Sequence, residues 1–297
     1  MRSFSFKLFL LLLCVSANSG LAESIWQHIA EIDNVKLKDI RLLAPGLDES
    51  VWFAGDTGLF QYLRGQTKQV SSGFITSIEI DLQGTVWFGG SNGLFRYKNG
   101  KNEQMMSGTI AGLDVDNQGM VWITKEKNIQ KYSGNEWTTI FSGDKDSTLT
   151  FDGFYGAIYA TPDGSLWGRT KGESGIWRFQ NGTLRVFTAK DGLLDNYNYI
   201  SFFVSSSDGT IWCAYNNAFD LEEDDRIGGV SRYSGTSWET YTMDNGLPSK
   251  EMFCLVAANK NSSFVSTGNG IGLFNGDTWT KISEKYAPVM TFDSQGS

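Results

Sequence analysis

The sequence predicts an all-β fold, a β-propeller of four-stranded antiparallel blades, with six full blades and part of a seventh. One motif recurs at spacings of 35 to 53 residues, the size of a propeller blade or a solenoid unit. The chain has 34 Gly but only 4 Pro, with 10 Trp, 11 Tyr and 20 Phe, which is typical of tight turns between aromatic-rich strands. No stretch of useful length has the 3.6-residue period of a helix.

The recurring motif reads Asp-x-x-Gly-x-Val-Trp and follows an apolar segment. Its Asp side chain can bond the backbone that follows and its Gly permits positive φ, so the motif predicts a tight turn that leads into a strand. We expect the tryptophan in that strand to be structural and to fill the gap between neighbouring blades. Five copies contain Trp52, Trp87, Trp122, Trp167 and Trp212, and a decayed sixth copy has Val265 where tryptophan belongs.

The second repeat illustrates the four predicted strands of a blade. The first strand is Ile75–Ile80, and a turn at Gln83 and Gly84 leads to the second strand, Val86–Phe88. The third strand is Leu94–Tyr97, and a weak outer strand lies near Gln104. Four strands per unit favour a propeller over a helical solenoid.

The first 22 residues are predicted to be a secretory signal peptide. Two basic residues, Arg2 and Lys7, precede the apolar run Leu8–Ala17, which is shorter than the ~20 residues of a membrane span. Gly20 and Ala22 supply the small residues of a cleavage site. We therefore expect residues 23–297 to be the propeller domain of an exported bacterial protein, periplasmic or extracellular, with no membrane span in this chain.

The two ends of the chain predict a seventh blade. The segment Ile25–Ile29 resembles the fourth strand of other repeats, such as Trp238–Tyr241 and Trp279–Ile282. A leading fourth strand can clasp the last blade of a ring and remove its open edges. The segment Val289–Phe292 is predicted to be the first strand of that blade. Its second and third strands are missing, so the propeller is expected to be truncated and to have seven blades when complete.

Composition excludes several classes of function. The formal net charge is −8, which disfavours nucleic-acid binding. His28 is the single histidine, so a zinc site with two or three histidines is excluded, and we expect neither a metal nor a cofactor. Cys213 and Cys254 lie in apolar strand-like runs, which favours two buried free thiols, although an exported protein can also form a disulfide.

The motif, followed in the second repeat by Gly93–Tyr97 (GLFRY), resembles the two-component-regulator propeller repeat. The linkers 190–196 (KDGLLDN) and 244–249 (DNGLPS) resemble the segment that precedes the first strand in that family. The resemblance covers residues 39–297. It implies an extracytoplasmic sensor, non-catalytic in itself, that binds an oligosaccharide, another small ligand or a partner. It also implies a downstream signalling domain or protein, such as a kinase, outside these residues.

Candidate binding residues lie in the long, variable loops of one face, because binding groups gather on loops held by a rigid scaffold. These loops are Phe141–Gly156, Arg169–Gly175 and Tyr215–Gly229. Their guanidinium, ammonium, amide and aromatic groups suit a polyhydroxylated or acidic ligand. Solvated loops without a ligand are the alternative. The candidate ligand-binding residues are Arg169, Lys171, Tyr215, Asn216 and Asn217.

Two other interpretations stay open. A carboxylate-based glycosidase or lyase needs two carboxylates and no histidine, and Asp152, Asp220 or Glu222 can serve in that role. A pair of carboxylates in a deep axial pocket would favour such an enzyme. A secreted interaction scaffold is a further alternative. The acidic run Leu221–Arg226 has carboxylates for calcium, but a solvated acidic loop is favoured there.

Overall fold

The computed structural model describes residues 10–13, 26–29, 40–142, 158–169, 175–194, 198–217, 228–287 and 290. These residues form six four-stranded antiparallel sheets, each built from strands consecutive in the chain, and one two-stranded sheet. The all-β propeller of four-stranded blades is therefore confirmed. Among the described residues, no helix is long and apolar enough to cross a membrane.

The first half of the chain forms the two-stranded sheet and three blades. The sheet pairs β1 (Leu10–Leu13) with β2 (Trp26–Ile29). Blade one comprises β3 (Ile40–Pro45), β4 (Val51–Gly55), β5 (Gly58–Leu63) and β6 (Gln66–Ser72). Blade two comprises β7 (Ile75–Ile80), β8 (Val86–Gly90), β9 (Gly93–Lys98) and β10 (Lys101–Met106). Blade three comprises β11 (Gly112–Val115), β12 (Val121–Lys125), β13 (Asn128–Tyr132) and β14 (Trp137–Ser142).

The second half of the chain forms three further blades. Blade four comprises β15 (Ile158–Ala160), β16 (Leu166–Arg169), β17 (Ile176–Gln180) and β18 (Thr183–Phe187). Blade five comprises β19 (Asn198–Ser205), β20 (Ile211–Asn217), β21 (Gly229–Tyr233) and β22 (Trp238–Tyr241). Blade six comprises β23 (Met252–Asn259), β24 (Ser262–Thr267), β25 (Gly270–Phe274) and β26 (Trp279–Ser283).

The repeat tryptophans join neighbouring blades. The Trp87 ring of blade two lies 5.9 Å from the Tyr132 ring of blade three. Trp212 of blade five lies 5.2 Å from Phe274 of blade six in the same relationship. All the repeat tryptophans are buried except Trp122, which is half-buried. Their predicted structural role is therefore confirmed.

The linker between blades four and five, which contains residues 190–196 (KDGLLDN), begins with a capped turn. The Thr188 hydroxyl caps a short 3-10 turn, Ala189–Asp191, and the Asp191 carboxylate accepts a hydrogen bond from the Thr188 backbone N–H. Gly192 then takes φ = 103°, a conformation that favours glycine, and Leu193 is buried against the core of blade five. The linker before blade six repeats this design at Met243–Asn245. The motif therefore fixes the angle at which the chain enters the next blade.

The decayed sixth repeat keeps an aromatic residue at the tryptophan position. Phe264 pairs with Leu273, the residue before the aromatic Phe274, just as Trp87 pairs with Arg96 before Tyr97. The position assigned to Val265 from the sequence is therefore wrong by one residue. The motif preceding this strand lacks its Gly, so the sequence alone did not fix its register.

The flank of blade six is covered as if another blade followed. Ile110, just before blade three, and Leu113 of blade three pack against the face of blade two that carries Trp87. Ala287 and Met290 are buried against the equivalent face of blade six. This supports the predicted first strand of a seventh blade, although residues 289, 291 and 292 lie outside the described part of the chain.

The predicted clasp is not the pairing observed for the N-terminal strand. Trp26–Ile29 pairs antiparallel with Leu10–Leu13, in the register Leu10 to Ile29. The apolar run Leu10–Leu13 offers this strand an edge within the chain itself. Residue 25, which the predicted strand included, is outside the described residues.

Candidate functional site

The loops that connect second to third strands differ sharply between blades. In blades one, two, three and six the connection is a two-residue hairpin, as at Ser91 and Asn92 between β8 and β9. Blades four and five instead have residues 170–175 and 218–228 in this place. The connections between blades emerge at the same end, including the long segment 143–157. One end of the propeller therefore carries nearly all the extra chain, beside blades four and five.

Arg169 lies at this end and bridges two blades. It is the last residue of β16, and its Nη1 donates a hydrogen bond to the backbone oxygen of Ile200 in β19 of blade five. Asn216 and Asn217 are the last two residues of β20, and they pair with Tyr199 and Asn198 of β19. The structure thus brings Arg169, Asn216 and Asn217 together around β19. Lys171 lies outside the described residues.

Tyr215 is in a different setting from the exposed loop predicted for it. It belongs to β20 and is 0% exposed. Its hydroxyl accepts from the Cys213 thiol at 3.2 Å and donates to Ser231 Oγ at 3.0 Å. The series of hydrogen bonds continues from Ser231 Oγ to Thr240 Oγ1, which donates to the Gly192 carbonyl oxygen. Burial raises the pKa of the Tyr215 phenol well above its ordinary value.

Several sequence-predicted residues fall outside the described part of the chain. They are Asp152, Asp220, Glu222 and the run 221–226. The two thiols are described: Cys213 and Cys254 are both buried and free, as expected. Within the described ranges, no group of three or more His, Cys, Asp or Glu side chains is placed to hold a metal ion.

A second polar feature, missed in the sequence, lies on the innermost strands. One position of each first strand stands opposite the repeat aromatic of the second strand. Each of these residues lies eight positions before that aromatic. This constant spacing is the signal that could have revealed them. Three consecutive blades carry ionisable groups here and the other three carry small or aliphatic ones; in blade order they are Ala44, Glu79, Asp114, Tyr159, Val204 and Val256.

Asp114 and Glu79 are a buried and a half-buried carboxyl residue on adjacent inner strands. Asp114 is 8% exposed and accepts hydrogen bonds from the backbone N–H of Val115, at 2.9 Å, and of Ala160 in blade four. Burial raises the pKa of Asp114 to about 7, against the lowering effect of these two N–H groups. Burial and then the Asp114 charge raise the pKa of Glu79 well above its ordinary value. The pair can therefore hold a proton near neutral pH.

Tyr159 completes this cluster from blade four. Burial raises the pKa of its phenol, and the charges of Glu79, Asp114 and Cys254 raise it further. Its ring lies 5.5 Å from that of Phe203 in blade five. Glu79, Asp114 and Tyr159 thus occupy equivalent positions on the inner strands of three consecutive blades.

Comparisons with known proteins identify the fold. No family model matches the chain, and no curated protein matches it. Among solved structures, it is similar to the extracellular domain of a putative hybrid two component system from B. thetaiotaomicron, with 19% identity and a TM-score of 0.58. That match covers 80% of this chain and 34% of the other, so the chain spans about a third of the length of that extracellular domain.

Two enzymes are similar to the same degree. Virginiamycin B lyase from Staphylococcus aureus has 14% identity and a TM-score of 0.60, over 84% of this chain and 86% of the lyase. An ancestral GH74 enzyme also has 14% identity and a TM-score of 0.60, over 84% of this chain and 39% of the enzyme. These likenesses show a β-propeller. They include the class of sensor domain that the repeat resembles and enzymes as well.

Proposed function

We propose that this chain is the ligand- or partner-binding propeller of an exported sensor of the two-component-regulator type, non-catalytic in itself. In this proposal residues 1–22 are a signal peptide and residues 23–297 are the propeller domain. The propeller faces the periplasm or the extracellular space. It passes its signal to a downstream domain or protein.

The observation that carries this proposal is the concentration of long loops beside blades four and five. Four blades close the connection between their second and third strands with two residues, so the scaffold does not require more. Extra chain on one end of a rigid scaffold is where binding residues usually lie. The similarity to a two-component extracellular domain and the sequence repeat support the same class.

The residues available there suit a polyhydroxylated or acidic ligand, such as an oligosaccharide. Arg169 offers a planar guanidinium, Lys171 an ammonium group, and Asn216 and Asn217 amides that donate and accept. We place the ligand above β19, between the ends of β16 and β20. Tyr215 acts from below, by holding β20 in place.

Binding measurements on the whole chain test this proposal. We expect an array of neutral and acidic oligosaccharides to yield a ligand whose Kd rises at least ~10-fold in Asn217→Ala or Lys171→Ala. The matched control is Lys101→Ala, an exposed lysine at the start of β10, on the opposite end of blade two. Equal affinity in all three variants would contradict the proposed site.

A carboxylate-based enzyme is the second candidate, and the Glu79–Asp114 pair is the observation that favours it. One carboxylic acid and one carboxylate are the groups that glycosidase chemistry uses. Turnover of a polysaccharide by the purified chain, abolished in both Glu79→Gln and Asp114→Asn, would establish this candidate. Binding without turnover supports the sensor.

A further inference from the structure

Glu79 and Asp114 lie where the inner strands of three blades meet. Strands β7 and β11 are in contact, and so are β11 and β15. The Asp114 carboxyl group of blade three accepts the Ala160 N–H of blade four, so one side chain joins two blades directly. Glu79 stands at the equivalent position of blade two, so the two carboxyl residues lie on adjacent inner strands.

The ionisable groups around this pair are acidic. The charge of Asp116, in the turn of blade three, raises the pKa of Asp114, and both carboxyl groups raise the pKa of Tyr159 in blade four. The six ion pairs that join described residues include neither Glu79 nor Asp114. Two carboxylates on adjacent inner strands, one buried and one half-buried, repel each other when both are ionised.

We propose that Glu79 and Asp114 share a proton at the inner edge of the ring, and that losing this proton loosens the joint between blades two and three. The propeller is then held tightly at mildly acidic pH and relaxes as the pH rises. This device is independent of the ligand site at blades four and five.

The direction of the pH effect follows from proton binding. An unfolded carboxyl group has a pKa near ~4. The folded chain raises the pKa of Asp114 to about 7 and raises that of Glu79 as well, so between these values the folded state binds more protons. The free energy of unfolding therefore falls as the pH rises from about 4 through about 7. Asp208, whose pKa is lowered by hydrogen bonds, is fully ionised across most of this range.

Thermal unfolding of the whole chain between pH 5 and 8.5 tests this proposal. We expect the Tm of the wild type to fall by at least ~3 °C over this range, and Glu79→Gln to remove most of the fall by removing the repulsion. Asp114→Asn should reduce the fall of Tm with pH in the same way. If Asp114→Asn does not fold, Glu79→Gln alone tests the proposal. The control Asp208→Asn should lower the Tm without changing its slope. An unchanged slope in Glu79→Gln would overturn the proposal.

Hydrogen–deuterium exchange supplies the local measurement. After correction for intrinsic exchange rates, peptides from 75–80 and 112–115 should lose protection as the pH rises, and those from 252–259 should not. A uniform loss over all six blades would overturn the proposed joint. So would a rise in Tm at pH 8 on adding Ca²⁺ that requires both carboxyl groups, because the pair would then be a cation site.

Discussion

The indole N–H of Trp87 in β8 donates a hydrogen bond to Asp81 Oδ2 at 3.1 Å, across the turn between β7 and β8. The other carboxylate oxygen accepts from the backbone N–H of Gln83 and of Thr85. One side chain thus shapes the turn and fixes the ring that packs against blade three. Asp116 and Trp122 repeat the arrangement at 2.9 Å. This links the first and last residues of the sequence motif.

Replacing Asp81 should therefore destabilise the propeller. In Asp81→Ala three donors lose their acceptor, and two of them, the Thr85 N–H and the Trp87 indole, are buried; we expect a loss of about 2–4 kcal/mol in the free energy of unfolding. Gln83→Ala is the control, because Gln83 is exposed and only its backbone N–H is used; it should change stability by less than ~0.5 kcal/mol. Urea unfolding measures both. Equal effects would show that the Asp bonds contribute nothing specific.

Blade five lacks this bond and should respond differently. Its acidic residue, Asp208, bonds Ser206 and Thr210 instead, and Trp212 Nε1 is buried with no partner among the described residues. We predict that Trp212→Phe lowers the free energy of unfolding by about 1–2 kcal/mol less than Trp87→Phe does, because Trp87→Phe removes the donor to Asp81 Oδ2. Blade six already has Phe264 at this position. A larger cost at Trp212 in equilibrium unfolding would contradict this interpretation.

Tyr215→Phe separates support of the site from contact with a ligand. The substitution removes the hydroxyl that connects Cys213 to Ser231, and we expect a loss of about 1–2 kcal/mol in stability. The Kd for any ligand of the blade four and five end should stay within ~2-fold of the wild type, since Tyr215 is 0% exposed. A Kd raised at least ~10-fold at unchanged stability would instead place the phenol in contact with the ligand.

The two thiols report on the flank of blade six. Burial raises the pKa of both Cys213 and Cys254 to about 12, so neither should react with a thiol reagent in the folded protein at pH 8. Cys254 Sγ accepts from the Met290 N–H at 3.2 Å. Removing residues 286–297 should therefore expose Cys254 alone. Mass spectrometry after labelling reads this out, and Cys213 is the internal control; labelling at neither thiol would contradict the packing of Met290.

The sequence predicted the propeller and its strands well, because turn chemistry and the tryptophan recur together. The strand bounds 75–80 and 238–241 were predicted correctly. The surroundings of individual side chains were harder to predict from the sequence. Tyr215 reads as part of a polar loop, but strand β20 extends to Asn217 and buries its ring. Glu79 and Asp114 lie 35 residues apart in the sequence, and only the packing of blade two against blade three brings them together.

Hydrogen exchange of the whole chain, with and without an oligosaccharide found to bind it, tests the central claim most directly. The account predicts new protection in peptides from 166–177 and 211–230, which contain the ends of β16 and β20. Protection confined to the opposite end, in peptides from 81–86 and 98–101, or to the inner strands 75–80 and 112–115, would contradict it.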